Sequence, residues 1–293
     1  MLDVRLVSCA ALPVPDLDTP VLAEVLARAG LSHDIADWRD GAVDWAAARV
    51  TMLRSPWDYV HHLEEFLAWA KSVSEVTALW NPFELIRWNT HKSYLLDLYA
   101  RGAPVVPTIA LLGGSAASLD AICDARGWNE VVIKPAIASG GDGARRGEVG
   151  DAGSQAHLDA LLESGDALVQ PFVPAVEREG EVSVVLFDGV FSHALRKLPA
   201  TGDYRVQEHH GGTTELVDAN PGLVELAERV CAELPTPTLY ARIDLVLLGG
   251  LWHVMEAEVT EPSLWLDLAP AAATQRLVDA LAARVAQVGG SPA

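Results

Sequence analysis

Two runs near the C-terminus, 240–248 (YARIDLVLL) and 251–259 (LWHVMEAEV), are separated only by Gly249-Gly250. Apolar and polar residues alternate in both, the period of a half-buried strand, and a Gly-Gly pair marks a hairpin turn. A hairpin this long must lie in an antiparallel sheet with one face covered, which constrains the fold more than any other feature. Two registers compete. A two-residue turn sets Asp244 opposite Met255 and sends Glu256 to the other face. A three-residue loop, Gly249-Gly250-Leu251, pairs Asp244 with Glu256 and Arg242 with Glu258. The second is preferred, because Ile243, Leu245 and Leu247 then share the opposite face with Ala257, Met255 and His253, a mostly apolar surface. Opposed side chains in such a pair lie ~5 Å apart at Cβ. Two carboxylates at that distance repel by roughly 3 kcal/mol at an effective dielectric of about 20. A divalent cation removes the repulsion, so Asp244, Glu256 and Glu258 are candidate metal ligands; magnesium usually takes one or two protein carboxylates. The alternative is an exposed hairpin whose acids are solvated or paired with Arg242.

Ahead of the hairpin the pattern changes along the chain. Strands are predicted at 2–10, 33–38 and 49–54, with helices at 18–30 (capped by Asp18 or Thr19 and ended by Gly30) and 60–72. Strands alternating with helices predict a parallel-sheet α/β unit over roughly 1–85. A helix at 89–101, an extended APVVPTIAL, a helix at 115–126, the strand EVVIKP, a helix at 154–163 and a strand at 167–173 interrupted by Pro171 follow. Residues 181–196 read as a hairpin turning on Asp188-Gly189. Helices at 221–234 and 271–287 complete the chain, with a Gly/Ser/Pro tail after the last.

Charge and cysteine content narrow the function classes. The net charge is −19 over 293 residues, which argues against nucleic acid because a phosphate backbone needs a basic stripe. No apolar run reaches the ~18–20 residues of a membrane span, and the short N-terminal apolar stretch, broken by Asp3 and Arg5, does not make a secretory signal. Cys9, Cys123 and Cys231 are odd in number, far apart and without CxxC spacing. They read as buried reduced thiols, and the expected location is the cytoplasm. The scarce lysines are Lys71, Lys92, Lys134 and Lys197.

Lys134 lies in the strand that precedes Ala138-Ser139-Gly140-Gly141-Asp142-Gly143. Successive glycines let backbone N–H groups approach an anion, one route to a phosphate cradle. The loop is not a Walker A motif, since no Gly-Lys-Ser/Thr follows, and its spacing does not fit a dinucleotide fingerprint. A surface loop between strands is the alternative. Arg54, Ser55, Trp57, Asp58 and Tyr59 follow a predicted parallel strand, where α/β sheets place ligands. Arg54 would suit a carboxylate and Asp58 an amino group; capping of the next helix by Ser55 or Asp58 is the other reading. His61-His62 and His209-His210 are adjacent pairs, poorly spaced to share one metal.

In this order, together with Asn81-Pro82, Gly102 to Thr108, Val169 to Val173, Arg205 and Gly211-Gly212, these features resemble the ATP-grasp superfamily. The resemblance covers about 80–268 and is looser before it. It implies an α/β (α+β ATP-grasp) fold: an N-terminal parallel α/β unit (1–88), a small α+β lid (89–170) and a C-terminal antiparallel-sheet domain (171–293) that clasps ATP with the lid. It further implies that Lys92 and Lys134 reach the ATP phosphates, and that Ser139, Gly140, Gly141 and Gly143 fold over them. Gln170, Phe172 and Val173 would frame adenine, with Glu179 or Glu181 near the ribose. Arg205 and Arg242 would hold the transferring phosphate or a substrate carboxylate, with Lys197, Gly211 and Gly212 nearby. Asp244, Glu256 and Glu258 would hold Mg²⁺, or Mn²⁺ in its place. Glu258 stands where that pattern usually has Asn.

Within the superfamily, LRSPWDY, NPFELIRWNTHKSYLLDL, EGEVSVVLFDGVFSHALRK, DYRVQEHHGG and MEAEVTEPSLWLD are similar to cyclo-ligases that convert O-ureido-D-serine to D-cycloserine in antibiotic biosynthesis. The implied partners are ATP and a small amino-acid-like carboxylate, with no nucleic acid or membrane, and a homo-oligomer is compatible. The implied chemistry is an acyl phosphate captured by a nitrogen. Alternatives are an intermolecular amide or peptide ligase and a catalytically silent nucleotide-binding module.

Overall fold

A computed structural model describes residues 1–289, so the tail expected after the last helix lies outside the described residues. The N-terminal unit contains β1 (Leu2–Ser8), α1 (Asp18–Arg28), β2 (His33–Asp37), β3 (Ala48–Ser55), α2 (Leu63–Ser74), β4 (Ala78–Trp80) and α3 (Phe83–Asn89). Its strands pair in parallel in the order β2-β1-β3-β4, as the alternation of strands and helices predicted. The N-terminal cap of α1 is neither Asp18 nor Thr19. Asp16 accepts from the backbone N–H groups of both, because its side chain lies before the first turn and can reach forward to its free amides. Gly30 ends the helix at a positive φ of 73°.

The middle of the chain builds a four-stranded antiparallel sheet, order β5-β8-β6-β7. It follows α4 (Tyr94–Ala100) and contains β5 (Ile109–Leu111), α5 (Leu119–Arg126), β6 (Glu130–Pro135), β7 (Arg145–Glu148), α6 (Ala152–Ser164) and β8 (Ala167–Pro171). Leu119 and Cys123 of α5 and Leu158 and Leu162 of α6 pack on Val131, Ile133 and Val169 of this sheet. The expected helix at 89–101 is broken: α3 ends at Asn89 and α4 begins at Tyr94. In the break, Lys92 N–H donates to Ala136 O at 2.8 Å, which ties it to the loop after β6. Leu95, Leu98, Ala103 and Val105 are buried in one core with Leu168 of β8 and with Val184, Ile243 and Leu245 of the third sheet.

That third sheet, order β11-β10-β9-β12-β13, is antiparallel. It contains α7 (Val176–Glu179), β9 (Glu181–Phe187), β10 (Val190–Leu198), β11 (Thr213–Val217), α8 (Pro221–Ala232), β12 (Tyr240–Leu248) and β13 (Leu251–Glu258), and α9 (Ala271–Gly289) follows. Asp188 and Gly189 both have positive φ, 51° and 76°, as a primed two-residue turn requires. Both faces of β9 are covered. Val182, Val184 and Leu186 join α4 and α8, while Val185 and Phe187 join α1, α9 and the N-terminal sheet. Helix α9 thus closes the chain against its beginning.

The β12–β13 register combines the two alternatives. Leu248 faces Leu251 across a two-residue Gly249-Gly250 turn, and the register then shifts at a bulge between Asp244 and Leu245. Beyond the bulge Asp244 pairs with Glu256 and Arg242 with Glu258. The three-residue loop is therefore corrected, as is the shared face of Leu245 with Met255: Leu245 lies opposite Val254, and Met255 is the extra residue.

Candidate active site

Arg242 and Asp244, on the face of β12 turned away from the α4–α8 core, line a cleft of about 720 Å³ between the second and third sheets. Its floor carries Glu181 of β9, Lys197 of β10, Arg242 and Asp244 of β12, and Glu256 and Glu258 of β13. Lys134 of β6, Lys92 and the Ser139–Asp142 part of the glycine loop bound it from the other side. The bulge matters here. Without it the alternation of β13 would turn Glu256 away from Asp244.

These groups neutralise one another. Glu256 accepts from Lys134 Nζ at 2.9 Å and from Lys92 Nζ at 3.1 Å. Asp244 accepts from Lys197 Nζ at 3.1 Å, from Arg242 Nε and Nη2, both at 3.0 Å, and from Ser183 Oγ at 2.6 Å. Lys197 also pairs with Glu181, and Arg242 with Glu258. Burial works to raise the pKa of Asp244, but Arg242 and Lys197 overcome it and hold the carboxyl at about 2. Burial likewise opposes ionisation of Glu256, yet Lys92 and Lys134 hold it well below the usual carboxylate range. Glu258 is pushed up by burial and by Asp244 and Glu256, against Arg242. Burial would lower Lys92, but Glu256 and Glu258 keep it above an ordinary lysine. Trp265, with φ of 47°, lies 5.1 Å from the Arg242 guanidinium carbon.

The other expected residues divide. Gln170, Phe172 and Val173 line the cleft where β8 ends, and Gln170 Nε2 donates to Thr108 Oγ1 at 2.9 Å. Arg205 lines it too and is paired with Asp203 at 2.8 Å. Glu181 lines it, whereas Glu179 is exposed on α7 outside it. Between them Gly180, with φ of +77°, comes so close to Lys197 O that a Cβ would meet it at 2.3 Å. Gly143 stands behind the loop, where a Cβ would meet Pro135 at 2.8 Å. Gly211 and Gly212 also lie off the cleft; a Cβ on Gly212 would strike Val206 O at 2.3 Å.

At the N-terminal end Trp57 lines the cleft and donates Nε1 to Glu261 O at 3.0 Å. Arg54, Ser55 and Asp58 do not line it. Arg54 is only 1 % exposed and donates to Asp18 Oδ2 and Pro262 O. Ser55 bonds Ser8, and Asp58 accepts from Trp38 Nε1. Arg54 does hold a carboxylate, but an internal one. Asp18 in turn accepts from the N–H groups of Leu264 and Leu266 at 2.6 and 2.7 Å, fastening the 261–267 segment to the N-terminal unit. Breaking a buried pair leaves an uncompensated charge and costs about 3–5 kcal/mol. Asp18→Ala is therefore expected to lower the urea unfolding midpoint by that equivalent, with Arg54→Met giving a smaller loss.

Tyr59, expected beside Trp57, lines the cleft as well, and sequence reasoning missed Asn89, Trp265 and Glu261, which also line it. Glu261 carries the one available signal, a third acid just beyond Glu256-Ala257-Glu258. Burial pushes its carboxyl up to about 8, and nearby Glu258 adds to the rise. The ligand atoms of Asp142, His209 and His210 lie within 4.8 Å of one another, closer than adjacency of the two histidines suggested. All three cysteines are buried, and burial pushes the Cys231 thiol up to about 12. Among the described residues no helix is long and apolar enough to cross a membrane.

Comparison with known proteins shows the family and the fold. Residues 4–81 match the family profile of the D-cycloserine synthetase DcsG N-terminal domain, and residues 100–268 that of the prokaryotic glutathione synthetase ATP-grasp domain. The chain is 35 % identical to the cycloserine biosynthesis protein DcsG of Streptomyces lavendulae over 289 residues, covering 94 % of this chain and 96 % of that one. The crystal structure of D-cycloserine synthetase DcsG superposes with a TM-score of 0.88 at 34 % identity, over 96 % of this chain and 99 % of that one. A D-alanine–D-alanine ligase from Bacillus anthracis shares the fold at a TM-score of 0.68 and 14 % identity, over 98 % of each chain.

Proposed function

Since the chain belongs to the ATP-grasp ligases and, over nearly its whole length, to the DcsG family, we propose that it closes O-ureido-D-serine to D-cycloserine. It is an ATP-dependent ligase, and ATP-grasp ligases use ATP with a divalent metal. The observation that carries the finer reading is the interleaved charge of the cleft. Lys92 and Lys134 converge on Glu256 while Arg242 and Lys197 converge on Asp244.

Such a set suits a metal–triphosphate ligand, because partners can be exchanged without leaving a buried charge bare. Lys92 and Lys134 would bind phosphate oxygens in place of Glu256, and Asp244, Glu256 and Glu258 would hold the cation. The donor set is all carboxylate, which fits a hard ion, and we take Mg²⁺ as the ion, with Mn²⁺ able to replace it. When bound, the ion neutralises charge on the transferring phosphoryl group. Gln170, Phe172 and Val173 frame the adenine, Glu181 lies toward the ribose, and Ser139, Gly140 and Gly141 cover the phosphates. Arg242 and Arg205 orient the phosphoryl group and the substrate carboxylate.

The carboxylate takes the γ-phosphoryl group of ATP, giving an acyl phosphate and ADP. The ureido nitrogen bonded to oxygen then attacks the acyl carbon and phosphate leaves. Holding both ends of one molecule replaces the entropy cost of recruiting a second substrate. Exclusion of water by the lid protects the acyl phosphate. D-Cycloserine lacks the carbamoyl carbon and nitrogen, so the balanced conversion also consumes one water and releases carbon dioxide and ammonia.

The test is incubation with O-ureido-D-serine, ATP and Mg²⁺, with no added amine. The expected result is one ADP per cyclic product by mass analysis. A linear product that appears only with added amine would replace the cyclo-ligase reading by an intermolecular one.

A further inference from the structure

The carboxyls of the cleft are not alike. Glu181, Asp244, Glu256 and Glu258 each pair with a lysine or arginine within 4.0 Å. Asp16, at the N-terminal rim, is occupied by Thr19 Oγ1 and by the first amides of α1. Asp142, Glu208 and Asp267 of the lining are exposed, whereas Glu261 is partly buried there; among the described residues no lysine or arginine pairs with its carboxyl, whose hydrogen-bonding neighbour is the Tyr59 phenol. Its backbone, by contrast, is held firmly. Trp57 donates to its carbonyl, Arg54 donates to Pro262 O, and Asp18 binds the amides that follow. The result is a fixed main chain presenting a carboxyl that no cation pairs, beside the Tyr59 phenol and the indoles of Trp57 and Trp265. The charged and titratable groups around it are Glu258, Lys92, Arg242 and the Tyr59 phenol.

We propose that Glu261 is the proton acceptor of the ring-closing step. This rests on the cyclo-ligase reading above. The attacking nitrogen is flanked by an oxygen and a carbonyl, which withdraw its lone pair and make its N–H comparatively acidic. It becomes an effective nucleophile only as that proton leaves. In the step, the N–C bond forms at the acyl carbon, and the bond from that carbon to the phosphate oxygen breaks. The phosphate departs with the electron pair, and the N–H proton passes to the Glu261 carboxylate. The paired carboxylates cannot serve without abandoning the cations or metal they hold.

Trapping the acyl phosphate separates the two half-reactions. Glu261→Gln and the unaltered protein are incubated with O-ureido-D-serine, ATP and Mg²⁺, with and without hydroxylamine, and hydroxamate, ADP and cyclic product are measured at saturating substrate. The expected result is near-normal hydroxamate and ADP from Glu261→Gln with hydroxylamine present. Its cyclic product without hydroxylamine falls by about 10²–10⁴-fold, and Glu261→Asp recovers part of the loss. A parallel loss of hydroxamate and cyclic product would overturn the assignment, because it would place Glu261 in phosphoryl transfer or in folding. An increase in KM with ring closure undiminished at saturation would make it a binding group only, and would also overturn it. Absence of substrate-dependent ADP and hydroxamate from the unaltered protein would overturn the functional reading and this inference with it.

Discussion

Glu256→Gln is expected to abolish metal-dependent turnover while tightening the binding of nucleotide in the absence of metal. The carboxylate does two jobs that the isosteric amide separates. It is the shared counter-charge of Lys92 and Lys134, at 3.1 and 2.9 Å, and it is a proposed ligand of the metal. An amide cannot neutralise two ammonium groups, so both lysines are left seeking an anion in a recessed site. ADP in the presence of EDTA then gains two cations that no longer have to be drawn off Glu256. The loss of a metal ligand acts in the other direction on catalysis. Removing even outer-shell support of a metal typically costs about 10–100-fold in affinity or activity, and a direct ligand should exceed that range. Calorimetric titration with ADP in EDTA, set beside turnover with Mg²⁺, separates the two effects. Equal metal-free ADP affinity in both proteins would show that Glu256 does not restrain the lysines.

Lys134→Ala is expected to lower turnover by about 10²–10³-fold, the usual cost of deleting one positioned group that stabilises charge in a transition state. Lys134 is 8 % exposed at the end of β6, directly before the glycine loop. It therefore connects lid position to phosphate charge. The fold should survive, because Glu256 keeps Lys92 as its partner and the apolar contacts of β6 come from Val131 and Ile133. Turnover assays alongside urea unfolding check both halves. Near-normal turnover in a folded Lys134→Ala protein would remove this lysine from the ATP site.

The hairpin shows where sequence reasoning reached the site and where it stopped. A period of two placed Arg242 and Asp244 on one face of β12, and a mostly apolar opposite face favoured the pairing with Glu258 and Glu256 that the structure has. The bulge at Met255 that produces this pairing was not legible, because no glycine or proline marks it. Strand alternation also revealed the parallel sheet of the N-terminal unit. The break at 90–93 was hidden because apolar residues continue into Leu95 and Leu98 without a helix-breaking residue. What turns the chain there is tertiary, the bond from Lys92 N–H to Ala136 O. Arg54 was read as a ligand-binding group because it ends a parallel strand. Its actual partner, Asp18, lies 36 residues earlier in a segment whose own signal was that of a helix cap. Glu261 escaped because it falls after the strand, in a stretch with no periodicity to set its direction.

The central claim is that ATP phosphorylates a substrate carboxylate before nitrogen attack. The direct measurement uses O-ureido-D-serine labelled with ¹⁸O in its carboxylate, followed by mass analysis of the phosphate released on turnover. The account predicts one labelled oxygen in each phosphate formed with cyclic product. Unlabelled phosphate during ring formation would contradict it.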